Sequence, residues 1–181
     1  TVHRCHTPLF PEIPREFLQY LQARQDRDTD DAPFLLELAH YEWVEISLDQ
    51  DERELDDVPA DQDGDFLQGV PVLSPLAWPL AYQYPVHRIR PDFQPAEPPE
   101  QPTHLLVYRT RGDRVKFMQL NGVTARMIEL MKEDRGLTGL DILNVVAAEL
   151  EHPQPETVVE AGAGALRDLA NRDVILGSRP Q

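Results

Sequence analysis

The 181-residue sequence predicts an α+β chain in two parts: helices over residues 1–48, and a small antiparallel sheet with three helices over 70–181. Three observations carry that prediction. Apolar residues recur at helical spacing up to residue 48. Nine acids and one arginine then fill DQDERELDDVPADQDGD (49–65), a self-repelling stretch that reads as a linker or mobile loop over 49–69. Finally, two β-rich runs around a Gly-Asp turn lead into three helical segments with short connections.

PREFLQYLQAR (14–24) predicts a short helix. Pro14 suits a first helical turn, where its missing N–H is not needed, and Phe17, Leu18 and Leu21 share a face. DRDTDDAP breaks the pattern. PFLLELAHYEWVEISLD predicts a second helix, with Leu35, Leu38, Ala39, Trp43 and Ile46 in phase and Glu42 interrupting their face. Beside Glu42 lie His40 and Trp43, but no nucleophile, phosphate loop or second convergent acid accompanies them, so Glu42 reads as structural.

Prolines at 71, 75, 79, 85 and 91 forbid a long central strand in VPVLSPLAWPLAYQYPVHRIRP and leave a short extended piece over 82–90. QPAEPPEQP (94–102) is a proline-rich connector. THLLVYRT (103–110) and VKFMQLN (115–121) flank RGDR and predict a hairpin. Asn121 can cap a helix from about Gly122 to Glu133, apolar at Met127, Ile128, Leu130 and Met131. Thr138 and Asp141 have capping-box spacing, with Asp in place of Glu, and open a second helix with Leu140, Leu143, Ala147 and Leu150 inward. Pro155 and Glu156 open a third, with Val159, Ala163, Leu166 and Leu169 or Ala170 inward, before DVILG (173–177) ends the chain in an extended piece. A small sheet with three helices contains the parts of a winged-helix fold.

The net charge of −15 is unevenly spread. Residues 1–69 hold 18 Asp and Glu against 5 Arg, and residues 70–181 hold 14 against 12 Lys and Arg. Duplex DNA would repel the first part, and only local contacts are possible in the second. The single cysteine, Cys5, excludes an internal disulfide, and a reducing cytoplasm is its simplest home. No apolar run approaches the length of a bilayer span, so no membrane association is expected. The start lacks both an apolar signal segment and a methionine, so the chain is expected to begin inside a longer protein or to have been trimmed. His3, Cys5 and His6 in HRCH lack the spacing and the second ligand pair of a closed zinc site, so neither metal nor cofactor is expected.

The run from Leu120-Asn121 through Val174, Ile175 and Leu176 resembles the RiPP recognition element of the pyrroloquinoline-quinone chaperone type. (RiPPs are ribosomally made, enzymatically modified peptides.) Ala125, Ile128, Leu130, Leu137, Leu140, Ile142, Leu143, Leu150, Val158, Leu166 and Leu169 fall in step over about the last third of the chain. Gly162 and Gly164 inside the third helix and the proline-rich lead-in depart from the pattern. The resemblance implies that a leader peptide adds as a strand to the sheet edge beside the third helix. The edge would be Lys116, Met118 and Leu120 or their alternates, and the helix would offer Val158, Gly162, Ala165 and Leu169. The two glycines would let a peptide backbone come close; the plain alternative is helix–helix packing.

PFLLELAHYEW (33–43) and SPLAWPLAYQYPVHRI (74–89) together resemble a bacterial two-domain family labelled DNA-binding, often encoded beside multinuclear non-haem iron oxidases that modify peptides. This resemblance covers nearly all of the chain and implies one further helical block before residue 1. It implies a non-catalytic, cytoplasmic adaptor that delivers a precursor peptide to a metal-dependent oxidase. The alternative is a DNA-binding transcription regulator with a winged-helix-like domain. Arg88, Arg90, Arg109, Arg111, Arg114 and Lys116 would then touch phosphates, attract an acidic partner, or remain plain solvated charges. The third helix sets Glu156, Glu160 and Asp168 against Arg167 and Arg172, a poor balance for lying in a groove of DNA.

Overall fold

The computed structural model describes residues 12–23 and 31–181. The HRCH histidines and cysteine lie outside them. The chain forms two compact units that are not consecutive in sequence. One comprises the described residues up to Gln50 together with Ala81–Thr103; the other comprises Asp51–Leu80 and His104–Gln181.

The first unit contains helices α1 (Ile13–Ala23) and α2 (Leu35–Asp49), packed on each other. On α1, Leu18 and Leu21 are buried, but Phe17 is 41% exposed and outside the expected face. On α2 the buried positions are Val44 and Leu48, not the predicted stripe, and Glu42 is exposed. The difference arises because α2 is used on more than one side. The Glu37 carboxylate accepts the backbone N–H groups of Gln83 and Tyr84, each at 2.9 Å. The Tyr84 ring stands edge-on to Phe34, and Tyr82 stands edge-on to His40 and Tyr41. His40 Nδ1 and the Tyr82 hydroxyl are hydrogen-bonded at 2.9 Å. Burial lowers the pKa of His40 and raises that of Tyr82. Of the two stretches that carried the sequence resemblance, 33–43 and 74–89, the first thus packs on Tyr82–Tyr84 of the second. The extended piece expected over 82–90 is instead a tight turn: Val86 N–H donates to Tyr84 O at 2.8 Å, and a 3₁₀ turn spans Val86–Arg88.

The second unit is the α+β part. Strand β1 (Val70–Leu73) pairs antiparallel with β5 (Ile175–Arg179), and β2 (Ala77–Tyr82), β3 (Thr103–Arg109) and β4 (Val115–Gln119) form a sheet in that order. Helices α3 (Gly122–Lys132), α4 (Gly139–Glu149) and α5 (Pro155–Asn171) complete it. The prolines keep β1 and β2 short without preventing them. Pro71 faces Ser178, whose N–H and C=O both bond to Asp61, so the missing proline N–H faces no strand partner.

That bond also changes the reading of the acidic stretch. Asp61 N–H donates to Ser178 O at 2.8 Å, and Ser178 N–H donates to Asp61 O at 2.9 Å. A Cβ on Gly64 would lie 2.1 Å from Ser178 Oγ, and one on Gly177 would lie 2.5 Å from Asp61 O. Further on, Gly139 N–H donates to Gly69 O and Leu140 N–H to Leu67 O. Residues 51–69 therefore pack within the second unit. The observed division falls at 50/51, 80/81 and 103/104, whereas the sequence suggested a linker over 49–69.

Local signals hold at the helix starts. Asn121 Oδ1 accepts from Thr124 N–H at 2.8 Å. Thr138 and Asp141 form the reciprocal capping box, and Pro155 occupies the first turn of α5. In the hairpin turn the left-handed residue is Asp113 (φ 51°), not Gly112. The inward stripes shift by a residue or so from expectation. On α4, Ile142 and Val146 are buried beside Leu143 and Ala147, while Leu150 is 49% exposed. On α5, Val158 and Gly162 are buried beside Ala163, Leu166 and Leu169. The core joins these to Leu106 and Tyr108 of β3 and to Met127, Ile128 and Met131 of α3.

The two glycines of α5 have opposite surroundings. A Cβ on Gly162 would lie 2.1 Å from the buried Leu143 Cδ2, whereas one on Gly164 would meet nothing within 4 Å. Gly162→Ala should therefore destabilise the second unit by about 1–3 kcal/mol through overpacking. Gly164→Ala should stabilise it by up to about 1 kcal/mol through helix propensity. Amide exchange along α5 reads both effects.

Candidate functional site

Among the described residues, strand β4 has a sheet partner on one side only. The hairpin register decides which of its groups look outward. Thr110 N–H donates to Arg114 O at 3.0 Å, and Leu120 N–H donates to His104 O at 2.9 Å. These two bonded pairs bracket the ladder Arg109–Val115, Tyr108–Lys116, Val107–Phe117, Leu106–Met118 and Leu105–Gln119. Bonded and non-bonded pairs alternate in an antiparallel ladder, so Lys116, Met118 and Leu120 bond inward to β3. The N–H and C=O groups of Val115 and Gln119 point away from β3. The expected edge of Lys116, Met118 and Leu120 is thus corrected to its alternates.

Side chains follow the opposite rule. Met118 packs against the core and Leu120 is buried in it, so Lys116, two residues earlier, lies on the same helix-facing side. There it lines a groove of about 420 Å³ with Arg114 from the hairpin and Asp168, Asn171 and Arg172 from the end of α5. Arg172 Nε donates to Asp168 Oδ2 at 2.9 Å. Asp173 accepts from the Arg111 backbone N–H at 3.1 Å, with Arg111 Nε at 3.4 Å. Both groove carboxylates are therefore engaged by arginines. Among the described residues, neither Arg114 nor Lys116 has an ion-pair partner.

Of the residues expected on the helix, few are available. Gly162 is filled by Leu143 of α4, and Val158 and Leu169 are buried in the core. Ala165 is half-buried against the same core. Helix–helix packing accounts for Gly162, and the reachable part of α5 is its last turn. Asn171, Arg172 and Asp173 were not singled out in the sequence as residues of this edge. Their only signal was polarity at the end of a helix that follows an edge strand by two helices.

Four of the six cations weighed for phosphate are paired, stacked or buried within the protein. Arg88 and Arg90 belong to the first unit, where Arg88 stands over Phe93 and Arg90 pairs with Asp92 at 2.7 Å. Arg111 pairs with Asp56 as well as Asp173. Arg109 is only 5% exposed, and its guanidinium donates to Asp51 O at 2.5 Å and Arg53 O at 2.6 Å. Only Arg114 and Lys116 of the set face the groove.

Residues 74–170 match the HvfC C-terminal domain, more than half of the chain. The chain belongs to the HvfC C-terminal domain family. The HvfC match runs from the turn before β2 to the last turn of α5, taking in the 81–103 segment that packs on α2 as well as β3 and β4. No curated protein is similar to the chain. Among the described residues, no helix is long and apolar enough to cross a membrane, and no group of His, Cys, Asp or Glu is placed to hold a metal ion.

Behind the hairpin, the carbonyls that receive Arg109 belong to a local ion pair. Arg53 donates Nε to Asp51 Oδ1 at 2.8 Å and Nη2 to Oδ2 at 2.6 Å, and it holds the Asp51 pKa down at about 2. A carboxylate depressed on folding contributes stability above its ordinary pKa, and loses it as pH falls through the folded value. The Asp51 carboxyl resonance should titrate near pH 2. In Arg53→Ala it should return to the ordinary carboxylate range, and the extra stability it gives near neutral pH should disappear.

Proposed function

We propose that the chain is a non-catalytic adaptor. It takes an extended precursor peptide onto the outer edge of β4 and presents it to a peptide-modifying metal oxidase. The observation that carries this reading is the one-sided pairing of β4, with outward Val115 and Gln119 and a polar groove against α5. An exposed strand edge supplies a row of backbone donors and acceptors, and adjoining pockets then set register. Membership of the HvfC family and the earlier resemblance to an oxidase-associated family support the same assignment. The first unit offers a surface for the enzyme, since Ile13 and Phe17 of α1 are exposed. Transcriptional control through DNA is the less favoured reading, because four of the six candidate cations are paired, stacked or buried within the protein.

Precursor peptides encoded beside the gene provide the test. Titration followed by backbone amide shifts should move Val115 and Gln119 before residues of α3. Gln119→Pro removes an outward N–H without touching the β3 ladder, and should weaken binding about fivefold, the value of one lost backbone bond. If none of these peptides moves the β4 amides, strand addition is wrong. Tight, steeply salt-dependent binding to promoter DNA would install the regulator reading in its place.

A further inference from the structure

We infer that the β4 groove selects an acidic side chain in the guest, placed directly opposite Lys116. The inference rests on the strand-addition reading and adds to it the chemistry of one guest position. The argument starts from register. Lys116 bonds inward to Tyr108, so an antiparallel guest meets Lys116 as a non-hydrogen-bonded pair. Such pairs have the closer Cβ atoms, about 5 Å apart, with both side chains on one face of the sheet. That face carries the groove, so the guest residue opposite Lys116 enters it.

The charges of the groove then decide what fits. Its lining holds the cations Arg114, Lys116 and Arg172 and the carboxylates Asp168 and Asp173. Arg172 holds Asp168, and Arg111 holds Asp173, so the carboxylates are already engaged. Arg114 and Lys116 supply the unmatched positive charge, and Asn171 adds an amide donor. A carboxylate entering here completes two charge-assisted bonds. A lysine would add a third like charge, and an apolar side chain would desolvate ammonium and guanidinium groups with nothing in return. Selection is sharpened by setting: the chain as a whole carries −15, so acidic peptides are repelled elsewhere and favoured at this point.

The test uses the full chain and three synthetic peptides of one extended, β-branched scaffold, identical except for Glu, Gln or Lys at the central position. Amide shifts of Val115 and Gln119 report strand addition, and shifts of the Lys116 and Asn171 side chains report occupation of the groove. The Glu peptide should bind about fivefold more tightly than the Gln peptide, the upper range of a cross-strand charge pair, and the Lys peptide more weakly than both. Lys116→Glu should invert the order, so that the Lys peptide now binds best. Because Lys116 is exposed, this variant should keep the amide spectrum of the folded chain. Equal binding of the three peptides at the β4 edge would overturn acidic selection and leave strand addition standing. Glu-dependent shifts at Lys116 and Asn171 with still amides at Val115 and Gln119 would overturn strand addition and, with it, the stated register. No response to any peptide would overturn both.

Discussion

The reciprocal backbone bonds between Asp61 and Ser178 hold the second unit together at a point where its chain would otherwise repel itself. Each such bond contributes only about 1 kcal/mol, yet the geometry around this pair admits little else. Gly64, Gly69 and Gly177 are there because a Cβ at any of them would run into Ser178 or Asp61. From this anchor, the carbonyls of Leu67 and Gly69 receive the first amides of α4, and those of Asp51 and Arg53 receive the Arg109 guanidinium. Backbone atoms make these contacts, which leaves the carboxylates of Asp56, Asp57, Asp61 and Asp63 exposed. An acidic sequence can thus be both solvated and ordered.

The same arrangement shapes the electrostatics of the β4 edge. Asp56 and Asp173 engage Arg111, and Asp168 engages Arg172. Positive charge that might have spread over the hairpin is reduced to Arg114 and Lys116. A diffuse cationic surface suits a polyanion such as DNA, whereas two cations in a groove suit one carboxylate.

Much of the second unit was legible because its signals are local. Asn121, Thr138 with Asp141, and Pro155 mark helix starts through bonds made within a few residues, and all three hold. The β3–β4 hairpin was legible for the same reason. The phase of the edge was not: whether Lys116 or Val115 bonds outward depends on the pair Thr110–Arg114 in the turn, which apolar spacing does not encode. Nor was the role of Gly162, since nothing near it in sequence announces Leu143. The stripe of α2 failed because Glu37 meets the Gln83 and Tyr84 amides, and His40 meets Tyr82, over forty residues away, on a side of the helix that spacing alone left to solvent. The acidic stretch misled most. Its composition describes charge, whereas its contacts with β5 and α4 are made by main chain.

The crossing of the chain between its units at 50/51, 80/81 and 103/104 has a consequence for any attempt to take them apart. Neither unit is a continuous piece. Cutting after residue 50 leaves α2 without the Gln83 and Tyr84 amides that satisfy Glu37. Starting at residue 70 deprives Ser178 of Asp61 and α4 of its first two acceptors. A dissection that respects the molecule would rejoin 80 to 104 through a short bridge, and would keep the acidic stretch with the sheet and helices.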